Sequence, residues 1–207
     1  LLLLALDTAT DAATACLWRD GQVLSESVTS GRSTAAQRLL DDVHHLLRAG
    51  RVEPAQLDAV VAGTGPGTFT GLRIGLASAR ALGFALGIPV HGVCTLDALL
   101  AGDGVDVACI DARRGEVFCK GAGIDIRAIA PDELAAILPE GATVAGDGAV
   151  RYRETLGEVA AVPPDGSPLH VPWSRHHAAL RELWTAPEPL YVRAPDAERS
   201  IAMGSAP

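Results

Sequence analysis

The stretch of this chain best suited to chemistry is GTGPGTFTGLR, residues 63–73. It lies between an apolar run, LDAVVAG (57–63), and a long run of small residues. That is the strand–turn–helix setting in which backbone N–H groups hold phosphate. Two specific patterns are absent. A P-loop ends in Gly-Lys-Ser/Thr and no lysine occurs here, while a dinucleotide fingerprint needs glycine where Thr68 stands. The candidates for a phosphate-facing position are Asp7, which closes the opening apolar run, with Gly65 and Gly67. In the competing reading, Gly65, Gly67 and Gly71 supply turn geometry and Asp7 caps a turn. Asp111 ends a later strand-like run as Asp7 does the first. Neither has a second carboxylate at useful spacing. His44-His45 and His176-His177 lack an i+4 partner for a metal, and no GxSxG elbow is present. These residues offer loops and surfaces but no nucleophile and no acid–base pair.

The elements that must position this loop follow from periodicity. Residues 1–6 are continuously apolar, as in a central strand buried on both faces. The runs 14–18 and 22–28, joined by Asp20-Gly21, complete an antiparallel meander. Leu39, Leu40, Val43, Leu46 and Leu47 form an apolar stripe on a helix spanning about 34–49, capped by Ser33 or Thr34 and ended by Gly50. After the glycine loop, a helix over 70–86 carries Gly71, Gly75, Ala79, Gly83 and Gly87 at spacing four. Each mid-helix glycine costs about 1 kcal/mol relative to alanine, so the pattern implies close backbone approach, either to the chain's own sheet or to another subunit. A strand over 87–93 and a short helix over 95–102 follow. At 106–123 the strand–turn–strand texture of the N-terminus repeats, placing a boundary between lobes 1–102 and 103–207. A short helix at 131–138, a strand and turn at 142–149, an irregular Pro-rich crossing at 161–172 and a helix at 173–184 are expected after it. The tail from Arg193 onward reads as poorly packed.

Composition narrows the function classes. The chain has 207 residues, a formal charge of −8, 48% apolar and 4% aromatic residues, and Lys120 as its sole lysine. The apolar content argues against disorder, and the acidity against gripping nucleic acid unaided. Cys16, Cys94, Cys109 and Cys119 sit in apolar runs without a CxxC pair, which reads as buried free thiols in a reducing compartment. The six-residue apolar opening is too short and lacks the basic flank of a signal peptide, so a cytoplasmic location is expected.

LALDTAT near the start, GTGPGTFTGLRIGLASARALGFALGIPVHGVCTLDAL, DARRGEVF, VAGDGA and LYVRAPDAE together resemble the TsaB (YeaZ) family along the whole chain. The resemblance implies an α/β fold of the two-lobed actin/Hsp70-like ATPase type (ASKHA, ribonuclease H-like), with mixed sheets flanked by helices. It implies a non-catalytic subunit of the bacterial machinery that makes N6-threonylcarbamoyladenosine at position 37 of tRNA. Its partners would be the larger catalytic paralogue TsaD and, through the complex, the small ATPase TsaE and tRNA, with a homodimer when the paralogue is absent. The chain itself would require no cofactor, with ATP or ADP at most at a composite interface. The helices resembling the family's contact helices are 34–49 and 70–86, and Leu39, Leu40, Val43, Gly71, Arg73, Gly75, Ala77, Ala79 and Arg80 are the implied interface residues. Two departures from the pattern count against catalysis or bear on partner contact. Ala9 and Thr10 replace the glycine of an actin-like phosphate loop, and Ala35 stands where relatives carry histidine. The alternative is a standalone weak ATPase or metallopeptidase-like enzyme of the same fold.

Overall fold

Six consecutive buried residues, Leu2–Asp7, form β1, and alternation sends their side chains to two different cores. Leu2, Leu4 and Leu6 pack with one cluster, and Leu3 and Ala5 with another on the opposite face. In this computed structural model, which describes residues 1–31 and 35–193, β1 is central to a five-stranded sheet. β2 (Ala12–Arg19) pairs antiparallel with β1, and β3 (Gln22–Ser30) antiparallel with β2 at the sheet edge. β4 (Ala59–Gly63) lies parallel to β1, and β5 (Val90–Val93) parallel to β4. Helices α1 (Ala35–Ala49) and α2 (Phe69–Leu86) lie on one face, with Leu39, Val43, Leu46, Leu47, Leu76 and Ala79 in the shared cluster. On the other face sits α7 (Ser174–Ala179), whose Ala178 joins Leu3, Ala5 and Val61.

The second sheet repeats this plan. β6 (Val107–Arg113) pairs antiparallel with β7 (Glu116–Gly121), β7 antiparallel with β8 (Ile124–Ile129), and β6 parallel with the short β9 (Val144–Ala145). The orders β3-β2-β1-β4-β5 and β8-β7-β6-β9 share a three-strand meander flanked by a parallel strand. Helix α3 (Thr95–Leu100) covers one face through Leu96 and Leu99. Helices α4 (Pro131–Ile137), α5 (Asp147–Arg151) and α6 (Arg153–Leu156) flank the other, where Leu134, Ala149 and Leu156 pack on Val107 and Cys109.

Several expectations are corrected. The third strand of the second meander, β8, escaped the sequence because its residues alternate between buried, half-buried and exposed without a clean apolar period. The helix expected over 173–184 breaks: α7 ends at Ala179 and a single 3-10 turn, Arg181–Leu183, follows. The 161–172 crossing is irregular but anchored, since the Arg153 guanidinium donates to Asp165 and to the carbonyls of Val162 and Pro163. Arg193 is not loose: it pairs with Glu116 and donates to the Ala112 carbonyl at 2.6 Å. The caps Ser33 and Thr34, the side chain of Ala35 and the tail beyond Arg193 lie outside the described residues. All four cysteines are free thiols. Burial pushes Cys16 up to about 12 and Cys94 and Cys119 up to about 11, which keeps them unreactive.

Candidate functional site: a sealed aspartate, a cleft between the two sheets and an exposed helix face

β4 delivers Gly63 directly beneath the Asp7 carboxylate. A Cβ at Gly63 would stand 1.9 Å from Asp7 Oδ2, so glycine is required by the aspartate rather than by a ligand. Asp7 is completely buried. Its Oδ1 accepts the Ala9 N–H at 2.6 Å and its Oδ2 accepts the Thr95 hydroxyl at 2.7 Å, while His177 Nε2 lies 2.8 Å from Oδ2 without hydrogen-bond geometry. His177 is also fully buried, brought in by α7. The expected phosphate-facing role of Asp7 is therefore corrected: its oxygens are enclosed by α3 and α7.

Gly65 is drawn inward too. Its N–H donates to Thr95 Oγ1 at 3.1 Å and its carbonyl accepts the Thr95 N–H at 2.7 Å. Thr68 N–H donates to the Ala9 carbonyl at 2.8 Å, and the Thr68 hydroxyl caps α2 by accepting the Gly71 N–H. The Thr68 amide thus binds the β1–β2 turn and the Gly65 amide binds α3, so neither faces an anion. The Gly71 and Gly75 positions let α2 approach that turn, since added Cβ atoms would stand 2.0 Å from the Thr8 carbonyl and 2.4 Å from its hydroxyl. The small-residue spacing consequently serves internal packing, where the sequence left packing and interface both open.

Gly67 is half-buried and lines a cleft of about 500 Å³ between the glycine loop and the β6–β7 hairpin. Phe69, Asp111, Arg113, Phe118, Tyr191 and Arg193 also line it. Its charges are matched internally. Arg113 bridges Asp111 at 2.6 Å and Asp11 at 3.1 Å, so one side chain spans from the β6–β7 hairpin to the β1–β2 turn. Behind them Asp147 accepts the Asp111 N–H at 3.0 Å, and burial raises its carboxyl to about 6. Among the described residues no group of three His, Cys, Asp or Glu is placed to hold a metal. His176 is lowered by burial and meets the Ala98 carbonyl through Nδ1.

The implied interface residues divide by burial. Leu39, Val43, Gly71, Gly75 and Ala79 are buried in the chain's own core and are withdrawn as contact residues. Leu40, Arg73, Ala77 and Arg80 face outward. Sequence reading missed Phe84, which is 92% exposed, beside exposed Ala81 and Ala85. Its position one helical turn beyond Arg80 was the available signal.

Comparison with known proteins follows from this geometry. The protein-family profile described as TsaD, tRNA N6-adenosine threonylcarbamoyltransferase, matches residues 22–137. YeaZ from Pseudomonas aeruginosa superposes with a TM-score of 0.76 at 28% identity, covering 92% of this chain and 99% of that one. The chain belongs to the TsaB/YeaZ family. An uncharacterised protein of Mycobacterium tuberculosis is 42% identical over 205 residues, covering 94% of this chain and 93% of its own. The tRNA threonylcarbamoyladenosine biosynthesis protein TsaB of Escherichia coli is 38% identical over 122 residues, 56% of this chain and 52% of that protein. The match thus spans about half of that TsaB. An activator of 2-hydroxyisocaproyl-CoA dehydratase from Clostridium difficile, with bound ADPNP, aligns at a TM-score of 0.50 and 8% identity over 88% of this chain and 96% of that one. That likeness concerns fold alone, the arrangement of mixed sheets flanked by helices. No helix among the described residues is long and apolar enough to cross a membrane.

Proposed function

We propose that the chain is a non-catalytic assembly subunit of a complex that makes N6-threonylcarbamoyladenosine in tRNA, docking a TsaD-type catalytic paralogue through the outer face of α2. The observation that carries this reading is Phe84, 92% exposed on an otherwise well-packed helix. Ala77, Ala81 and Ala85 are exposed near it, and Arg73 and Arg80 flank the stripe. A large exposed aromatic among small residues, with arginines at the rim, suits a protein contact. Asp7 is sealed and the cleft arginines Arg113 and Arg193 are paired, which supports a chain that catalyses nothing by itself. The charge of −8 supports tRNA contact through partners rather than through this chain. In this reading residues 1–102 carry the partner-binding lobe and 103–207 the second lobe, with α3 and α7 each packed on the other lobe's sheet, in the cytoplasm. TsaE joins through the complex, ATP or ADP binds only at a composite interface, and the same α2 face forms a homodimer when the paralogue is absent.

The test uses the chain alone and mixed with the larger paralogue from the same genome, with threonylcarbamoyl transfer to tRNA as readout. Transfer is expected only from the mixture. Robust transfer or rapid ATP turnover by the chain alone would instead establish the standalone enzyme. Failure to form any complex would remove the assembly role.

A further inference from the structure

Residues 185–193 run from the first sheet to the second as a strap. Thr185 pairs with Gly92 at the end of β5 through two 2.9 Å backbone hydrogen bonds. The Leu190 N–H donates to the Thr64 carbonyl at 2.8 Å, just ahead of the glycine loop. Arg193 then pairs with Glu116 on the β6–β7 hairpin. Leu190, Tyr191, Val192 and Arg193 form one wall of the cleft between the two sheets.

Two side chains on the outer face of α2 bear on this strap, Arg80 by direct contact and Arg73 through the Phe69 ring. Arg80 Nη2 donates to the Pro187 carbonyl at 2.6 Å. The Arg73 guanidinium lies 3.7 Å over the Phe69 ring, and Phe69 packs against Tyr191 with ring centroids 6.0 Å apart. Both arginines are exposed, and neither is engaged by a carboxylate among the ion pairs of the described residues. A carboxylate is a stronger partner for a guanidinium than a carbonyl or an aromatic face.

We propose that residues 185–193 are a clasp on the cleft whose hold is set by Arg73 and Arg80, so that a partner offering carboxylates to these two arginines releases the clasp and opens the cleft. The inference rests on the proposed docking face. Coupling is reciprocal: whatever lifts the clasp also frees both arginines for the partner. The cleft is thereby kept narrow in the free chain and widened only inside the complex.

Hydrogen exchange of the full-length chain reads the clasp at the Leu190 amide. In the free chain, the double variant Arg73→Ala, Arg80→Ala is expected to speed exchange across 185–193 roughly fivefold or more, the lower end of ordinary site-to-site coupling. Exchange in β1 and β4 should stay unchanged, which separates clasp release from unfolding. Unchanged strap exchange in that variant overturns the inference without reference to any partner. Adding the TsaD-type subunit to the wild-type chain should produce the same acceleration. A complex that forms while strap protection stays equal or rises overturns the clasp and leaves the assembly function standing. No complex at all contradicts the assembly function itself and removes the effector on which the clasp depends.

Discussion

Asp7 and Asp111 occupy equivalent places in the two sheets and differ in what covers them. Each ends or nearly ends the first strand of a meander, and each accepts the N–H of the residue two ahead: Ala9 at 2.6 Å and Arg113 at 2.9 Å. A glycine closes each parallel neighbour, Gly63 on β4 and Gly146 after β9. Asp7 is then sealed by Thr95 and His177, delivered by α3 and α7. Asp111 instead faces the cleft and meets two arginines, Arg113 and Arg151, that are one-third or more exposed. One scaffold thus yields an aspartate sealed by helices and a second, also buried, whose arginine partners reach the solvent. The physical cause lies in the covering elements: α3 and α7 bring Thr95 and His177 onto Asp7, whereas α5 brings Asp147 and the solvent-reaching Arg151 to Asp111.

Removing the sealed carboxylate should have the largest effect. Asp7→Ala leaves the Thr95 hydroxyl, the Ala9 N–H and His177 buried beside a void, and should destabilise the fold by roughly 3–5 kcal/mol. Asp111→Ala, whose arginine partners reach water, should cost about 1–2 kcal/mol. Urea unfolding of the two variants side by side checks the contrast, and equal losses would break it. Asp147 sharpens the open side through pH. Folding raises its carboxyl from 3.8 to about 6, so the folded chain retains a proton that the unfolded chain gives up across that interval. Stability from this group is highest below pH 4, falls as pH rises through 6, and the penalty is complete above that. Asp147→Asn keeps an acceptor for the Asp111 N–H and should gain up to about 2–3 kcal/mol at pH 7 relative to its effect at pH 4. A pH-independent difference between the two proteins contradicts the assignment. Arg113→Ala removes the bridge from the hairpin to Asp11 at a cost of less than about 1 kcal/mol. Its expected signature is faster hydrogen exchange at the hairpin tip 113–115 with little change in melting temperature.

The first half of the molecule was the more legible in sequence. A strand with no polar interruption before Asp7, an Asp-Gly hairpin and a small-residue helix after the glycine loop are all local signals, and each element formed where its signal lay. The seal on Asp7 was not legible, because Thr95 and His177 arrive from 88 and 170 positions away along the chain. Periodicity also cannot tell a helix face that meets its own sheet from one that meets another protein. The spacing of Gly71 and Gly75 therefore fits either role, and it is Thr8 packed against both that assigns them to the chain's own core. Short helices α5 and α6 lack the length over which a period can be recognised, and β8, as long as β1, lacks a clean alternation of apolar residues.

The central claim is that the outer face of α2 is the docking surface, and Phe84→Asp tests it most directly. At 92% exposure the substitution should change stability by less than about 0.5 kcal/mol. Binding of the variant to the TsaD-type paralogue, measured by titration calorimetry beside the wild type, should weaken by about 2 kcal/mol or more, roughly thirtyfold in Kd. Wild-type affinity in a well-folded Phe84→Asp chain would contradict the account.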